Sequence, residues 1–487
     1  MTLKHTLSKA RQYEEKYLNV KKDKPLFHMA CPVGWMNDPN GFSMFNNRCH
    51  LFFQYNPYDT VWGPMHWGHA VSEDFIRWEH LPAALAPDQD YDNCGCFSGS
   101  GIEADGKHVL LYTGVHKGTA GTSFEDKVIQ EQCVAIGDGI NYKKMDYGPV
   151  ITSNLLPDGH SLSDFRDPKV YRWNGKYRAV IGNTDTEKQD GFVVVFESDN
   201  LKDWNYIGVL DASNDEYGSM WECPDLFELD DKAVLIVSPQ FIEAKGLEFH
   251  NGHNTMCIVG TIEDEKMERE FLHAIDYGLD FYAPQTLESA DGRRVMIGWL
   301  QSWDNHIVPS GFNWSGMMTI PRELTVTDGR LYQIPVRELY HHRKNEIICE
   351  ADIDSEECFF DGINGRVFDM ELDFINMDGS SLEIKLACDE RHQTVITIDK
   401  DKRRILFDRT YSGLNKDVLC TRTMQVDRLH GGSSMRILMD RFSVELFVNG
   451  GRYAMSSLIY TPLKADQIVF SSKGKFQFRI KKYDIML

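Results

Sequence analysis

Three short acidic motifs lie far apart in the chain: Asn37-Asp38-Pro39-Asn40-Gly41, Arg166-Asp167-Pro168 and Glu222-Cys223-Pro224-Asp225. Each sets a carboxylate within two residues of a proline, whose ring fixes φ and stiffens the backbone beneath the acid. Taken singly, each has a structural explanation. Asn-Asp-Pro-Asn-Gly is good turn chemistry, because Asn and Asp bond their own backbone, Pro presets φ and Gly accepts φ > 0. Arg-Asp-Pro suits an ion pair at a strand start, and Glu-Cys-Pro-Asp a strand end where Pro stops the ladder. Together they offer three carboxylates on rigid loops, the groups needed to break a glycosidic bond: one acid meets the electron-poor anomeric carbon while another protonates the departing oxygen.

The surrounding residues extend the pattern. His28 precedes Gly34-Trp35-Met36-Asn37-Asp38-Pro39-Asn40-Gly41, and Leu51-Phe52-Phe53-Gln54-Tyr55-Asn56-Pro57 follows it. Then come Trp62-Gly63-Pro64-Met65-His66-Trp67-Gly68-His69-Ala70, Gly95-Cys96-Phe97-Ser98-Gly99-Ser100, Asp280-Phe281-Tyr282-Ala283-Pro284-Gln285 and Gly298-Trp299. Near the C-terminus stands Asp440-Arg441-Phe442-Ser443-Val444-Glu445-Leu446-Phe447-Val448-Asn449-Gly450-Gly451. This set resembles glycoside hydrolase family 32, the invertases and β-fructofuranosidases, over roughly residues 25 to 487.

The resemblance implies roles. Asp38 is the expected nucleophile, Glu222 the general acid and then base, and Asp167 the stabiliser that grips ring hydroxyls as the fructose ring flattens and charges. It assigns sugar contacts to Asn37, Gln54, Trp62, Phe97, Ser98 and Trp299, and it counts Arg166 with the binding set, where it is expected to keep Asp167 ionised and oriented. Elementary chemistry agrees on the division of labour. A short side chain on a Pro-braced turn is positioned tightly for attack, whereas the longer arm of Glu222 reaches the glycosidic oxygen. A low-dielectric pocket shared with other carboxylates should keep Glu222 protonated. A nucleophile and a separate acid/base imply retention by double displacement. Aromatic faces and amides suit the C–H patches and hydroxyls of a furanose, although Trp62 and Trp299 would also suit a core and Gln54 a strand edge.

These acids need a frame that brings them together. Short aromatic and β-branched runs such as Val109-Leu110-Leu111-Tyr112-Thr113, separated by Gly, Asn, Asp and Pro, read as strands throughout. Residues 72–78 (Ser-Glu-Asp-Phe-Ile-Arg-Trp) return as residues 198–204 (Ser-Asp-Asn-Leu-Lys-Asp-Trp), with a poorer relative at residues 137–142 between them. The implied period of roughly 60 residues holds a four-stranded blade with long loops, and about five such units fill residues 25–335. Ordinary aromatic-ended hairpins would explain the repeat equally well; the resemblance implies a five-bladed β-propeller. Beyond it, alternating strands such as Leu382-Glu383-Ile384-Lys385-Leu386 suit a β-sandwich. The expectation is an all-β chain with an N-terminal helical extension at 1–24, the propeller at 25–335, a linker at 336–350 and the sandwich at 351–487. The sandwich is expected to serve stability or oligomerisation, and assembly into a homo-oligomer stays open. Leu3, Leu7, Ala10 and Tyr17 fall near helical spacing, which predicts a short amphipathic helix lying on the propeller.

Composition narrows the partners. A formal net charge of −21 argues against nucleic acid and acidic membrane surfaces. No apolar run approaches the roughly 18 residues of a membrane span, and the charged first two dozen residues lack the core of a secretory signal. Eleven cysteines, an odd count without paired Cys-x-x-Cys spacing, suggest reduced thiols and a cytoplasmic setting. Cys94 and Cys96, or His66 and His69, could suggest a metal; without further ligands at metal spacing they read as structural, and the mechanism needs no cofactor. The expected partner is a small fructoside: sucrose, sucrose 6-phosphate, or short fructo-oligosaccharides as the alternative. A catalytically silent sugar-binding propeller would be expected to lose at least one of the three acids. A related arabinan- or xylan-cleaving enzyme would keep a similar trio, but the Trp-Met-Asn-Asp-Pro-Asn-Gly and Phe-Ser-Gly-Ser segments favour fructose.

Overall fold

The computed structural model describes residues 5–17, 23–118, 127–305, 307, 311–414 and 418–487. Five sheets form a propeller. The first blade comprises Gly34–Phe45, Arg48–Asn56, His66–Ser72 and Glu79–Leu85, and the second Gly95–Ala104, Lys107–Lys117, Val128–Gly137 and Tyr142–Ile151. The third is Arg166–Trp173, Lys176–Thr184, Gly191–Ser198 and Trp204–Ala212; the fourth is Met220–Leu229, Lys232–Gln240, Met256–Glu263 and Lys266–Ala274. The fifth is built on Tyr282–Glu288, Arg294–Leu300, Arg322–Thr327 and Arg330–Pro335. The first strand of each blade is the innermost, and these five strands touch one another around the axis. A short strand after the second strand of the last blade, Trp314–Ser315, pairs in parallel with Gly34 and Trp35 and closes the ring.

The sequence repeat marks one recurring turn. In residues 72–78 the Asp74 carboxylate accepts the amides of Ile76 and Arg77, and in residues 198–204 the Asn200 amide oxygen accepts those of Lys202 and Asp203. Asp138 does the same for Ile140 and Asn141. All three cap the passage from the third strand to the fourth of their blades. Between blades the cores interdigitate, as where Phe52 and Trp67 meet Leu110 and Tyr112. Each such side chain, fully buried, stabilises the fold by roughly 1.5–3 kcal/mol.

The helix Leu7–Tyr17 lies against strand Glu79–Leu85. Its buried face differs from the expected one. Ala10 and Glu14 are the buried positions, Leu7 and Tyr17 are only half-buried, and Leu3 lies outside the described residues. Backbone bonding accounts for this: Arg11 Nε donates to the Ala83 carbonyl (2.9 Å) and the Ala83 amide donates to Glu14 (3.0 Å), so the helix docks as a polar clamp on the outer edge strand of the blade.

A 3₁₀ turn, Arg337–His342, leads into two six-stranded sheets packed as a sandwich. Residues 343–350, expected in the linker, already belong to the first sandwich strand, Arg343–Asp354, which is paired along its length with Lys475–Ile485. Of the charged segment 336–344 that suggested a connector, residues 337–342 form the 3₁₀ turn and only Arg343 and Lys344 enter this edge strand. Inside, Phe368, Met370 and Leu372 of one sheet share a core with Leu382, Ile384, Ile396 and Ile398 of the other, the period of two that an inward-facing strand requires.

Polar groups sealed from solvent join the two domains. Arg322 of the last blade binds Asp276 (3.1 Å), Glu445 and Ser456, and Arg409 of the sandwich binds Asp280. His28 spans two sandwich carboxylates, Nδ1 to Asp440 (2.9 Å) and Nε2 to Glu445 (2.7 Å). His66 and His69 are buried structural groups: His66 Nδ1 donates to the Pro64 carbonyl, and His69 Nε2 meets His50 Nδ1 at 3.0 Å. Among the described residues no helix is long and apolar enough to cross a membrane.

Candidate active site

The three acids meet at one mouth of the propeller axis, and a shared backbone device puts them there. Each innermost strand breaks register with its neighbour near its start: between Met36 and Pro39, Phe97 and Gly99, Glu222 and Asp225, Tyr282 and Gln285, and, in the third blade, opposite Val180 and Gly182. Such bulges twist a strand and re-aim its side chains. Asp167, Cys223 and Ala283 hold left-handed φ values of 67°, 47° and 50° within them, and each is followed by a proline that could not sit in an unbroken ladder. The prolines that brace the acids in sequence are therefore the marks of these bulges.

Asp38 lies on the floor, 8% exposed. Ser98 Oγ donates to its Oδ2 (2.7 Å) and Asn37 Nδ2 to its Oδ1 (3.1 Å), while Trp35 Nε1 donates to Asn37 Oδ1 (2.8 Å) and fixes that amide. Asp167, 5% exposed, accepts the Cys223 amide (3.0 Å), and its own amide donates to Thr113 Oγ1 (3.0 Å). The Cys223 thiol lies between the two aspartates, 3.6 Å from Asp38 Oδ2 and 3.5 Å from Asp167 Oδ2. Glu222 Oε1 accepts Arg166 Nε (3.0 Å), and its Oε2 lies 2.7 Å from the Tyr282 hydroxyl. Asp225, the last acid of that motif, is fully buried on Lys169 and the Thr286 amide and serves structure.

Burial raises Asp38 to about 6, aided by the charge of Glu222 and resisted by the bonds from Ser98, Asn37 and Cys223. Burial likewise raises Asp167 to about 7, with Arg166 pulling it down and the other two carboxylates pushing it up. Burial works against the charge of Arg166, but Glu222, Asp167 and Asp164 more than restore it. Asp38 and Asp167, both buried and both pushed upward by the charge of Glu222, therefore hold their protons to higher pH than free aspartates do.

Two expectations need correction. Arg166 does not bond Asp167: its donors go to Glu222, Asp164 (2.7 Å) and Gln130, and it acts on Asp167 through its charge alone. The reversed side-chain direction of neighbouring strand residues sends the two apart. Trp299 has no exposed surface for a sugar to touch. It backs the floor, edge-on to Trp35 (5.9 Å) and Trp303 (5.0 Å).

The other expected contacts gather at the same mouth. Asn37 and Ser98 orient Asp38, and Gln54, 2% exposed, donates to the Cys96 carbonyl (3.0 Å) behind them. Trp62, 48% exposed, stands at the rim with its ring edge-to-face with Phe97 at 6.1 Å. Sequence reasoning assigned no part to Tyr282, Cys223 or Thr113. The first two lie inside motifs already noted, and their shared position just before or within a proline-marked bulge is the signal that finds them.

Comparison with known proteins places the whole chain. Residues 28–335 match the glycosyl hydrolases family 32 N-terminal domain, and residues 337–486 the family 32 C-terminal domain. A sucrose-6-phosphate hydrolase of Zymomonas mobilis is 38% identical over 460 residues, covering 90% of this chain and 86% of that protein. A raffinose invertase of Escherichia coli is 34% identical, with 96% of each chain covered. Among solved structures, the sucrose-6-phosphate hydrolase of Lactobacillus gasseri superposes with a TM-score of 0.85 at 28% identity, covering 98% of this chain and 96% of that one. A Bombyx mori GH32 β-fructofuranosidase mutant in complex with sucrose gives 0.84 at 31% identity, covering 98% of both chains.

Proposed function

The chain belongs to glycosyl hydrolase family 32 and is a β-fructofuranosidase, and on that premise we propose that it releases fructose from sucrose 6-phosphate, and from sucrose, by double displacement. The observation that carries the mechanism is the convergence of Asp38, Asp167 and Glu222 from three blades, each acid with different partners. Ser98 and Asn37 hold both oxygens of Asp38 in the orientation for attack on C2. Glu222 gives its proton to the leaving oxygen, and Arg166 and Tyr282 stabilise the carboxylate that remains. The same carboxylate then takes a proton from the water that cleaves the fructosyl ester on Asp38. Asp167, held by the Cys223 amide, accepts from ring hydroxyls, bonds that strengthen as the ring becomes oxocarbenium-like.

The names of the similar proteins support a phosphorylated substrate. A sugar phosphate is charged and does not cross a membrane unaided, so this reading puts the enzyme in the cytoplasm. Parallel kcat/KM values for sucrose 6-phosphate, sucrose and raffinose at neutral pH test it. A preference for the phosphate of about a hundredfold, roughly 2.7 kcal/mol of transition-state binding, is expected. Equal values for sucrose and its phosphate would reject phosphate recognition, and a preference for raffinose would make oligosaccharides the substrate.

A further inference from the structure

Phe241 is the most exposed large apolar side chain among the described residues, at 66%, and it is also strained, with a φ of 59°. A single exposed apolar residue is ordinary, but a bulky one in the left-handed region is not. Nor does the chain around it hang loose. Ile242 and Gly252 exchange both backbone hydrogen bonds (2.9 and 3.0 Å), so the loop closes on itself one residue after Phe241. Strain held in a rigid loop is characteristic of sites where a side chain must be presented.

Its position gives the ring a task. Strand Lys232–Gln240 runs antiparallel to Met220–Leu229, passes Glu222 at Ser238 and ends opposite Met220, so residue 241 stands just beyond the acid at the same end of the blade. The Phe241 ring lies 5.4 Å from His253, whose ring lies 5.7 Å, edge-on, from Tyr282, the residue that bonds Glu222. His253 is itself pinned. Asp304 accepts both its amide (2.9 Å) and its Nδ1 (2.8 Å), and a β-carbon on Gly252, at φ 111°, would strike that carboxylate at 2.6 Å. From the acid outward there is thus a fixed file of rings, Tyr282, His253 and Phe241. Since the acid protonates the leaving oxygen, the leaving group occupies its side of the pocket, whereas Trp62 and Phe97 stand with Ser98 on the side of Asp38.

We infer that Phe241 is the stacking platform for the sugar ring of the leaving group, a specificity-determining residue that favours fructosides whose aglycone is a pyranose. This rests on the chain's being a fructosidase. The C–H face of a pyranose matches an exposed aromatic ring, and a ring carried on a closed backbone loop costs little backbone freedom on binding.

The test compares kcat/KM for sucrose with that for methyl β-D-fructofuranoside, whose leaving group has no ring to stack. In Phe241→Ala the value for sucrose should fall about tenfold while that for the methyl glycoside stays within about twofold, and Phe241→Tyr should restore it. Phe241→Gly is the second variant, because glycine accepts the left-handed backbone and removes the ring without adding strain. Equal loss on both substrates would mean that the ring only props His253 and Tyr282, and no loss on either would mean that it touches no substrate; both overturn the inference. Wild-type protein inactive on both fructosides would instead overturn the fructosidase reading, and is recognisable because it does not depend on residue 241.

Discussion

Asp38 is subject to opposing pulls: burial and the charge of Glu222 raise it to about 6, and donors from Ser98, Asn37 and Cys223 hold it down. An attacking carboxylate must be ionised, so kcat/KM should fall tenfold per unit of pH below about 6. Ser98→Ala removes a bond to the ionised form, which lifts Asp38 and moves that limb upward, by about one unit, roughly 1.4 kcal/mol of lost preference for the charged state. Activity at pH 5.5 should therefore suffer more than activity at pH 8, and a pH profile unchanged in shape would refute the assignment of the limb to Asp38. The acids were legible in sequence because proline next to a carboxylate has few uses in a strand, and a bulge is one of them. Their partners were not. Arg166 is adjacent to Asp167 in sequence yet bonds Glu222, 56 positions away, and Trp299 occupies a motif position that reads alike whether it lines the pocket or backs it.

At the scale of elements, the N-terminal helix carries its own titration. Glu14, 4% exposed, is raised to about 7 by burial, against the Ala83 amide, Tyr55 and the charge of Arg11. A carboxyl with a raised folded value favours the docked state most below its free value near 4.5, and that advantage is lost as pH rises through 7. The change is on the order of 3 kcal/mol of docking free energy. Hydrogen exchange of the amides of Leu7–Tyr17, corrected for intrinsic rates, should show stronger protection at pH 5 than at pH 8, and Glu14→Gln should remove most of the difference. Equal protection in wild type at both pH values would show that Glu14 stays ionised beneath the helix. Helical spacing revealed the helix but misjudged its face, because apolar periodicity does not register an acid buried to cap a strand's amide. The blades were legible where Asp74, Asp138 and Asn200 repeat one turn chemistry. The fourth blade makes the same passage through Asp264 and Glu265, both at positive φ, and so leaves no copy of the motif to find.

For the whole molecule, the sandwich is a structural part of the propeller's last blade. Arg322, Asp276 and Asp280 of the propeller and Glu445 and Arg409 of the sandwich have no exposed side-chain surface in the assembled protein, and every ion pair among them that crosses the interface spans more than a hundred residues of sequence. That separation is why a sequence reading could expect the sandwich to serve stability or oligomerisation and yet name none of the contacts that join it to the propeller. Removing one partner from such a network leaves a charge buried without compensation, so Glu445→Ala should cost about 3–5 kcal/mol. His28 makes the junction pH-dependent. Burial lowers its proton affinity, but Asp440 and Glu445 outweigh burial and raise it to about 9. A raised histidine contributes its full stability below the unfolded value near 6.5, and this is lost as pH climbs through 9, by roughly 3 kcal/mol. Calorimetry between pH 6 and pH 9.5 should show Tm falling by a few degrees with the two domains melting together, and His28→Gln should lower Tm at pH 6 while flattening its dependence on alkaline pH. If the variant kept the full alkaline decline, the proton on His28 would not be what fastens residues 26–28 to the sandwich, and the amides of Leu26 and Phe27 on Asp440 would be sufficient by themselves.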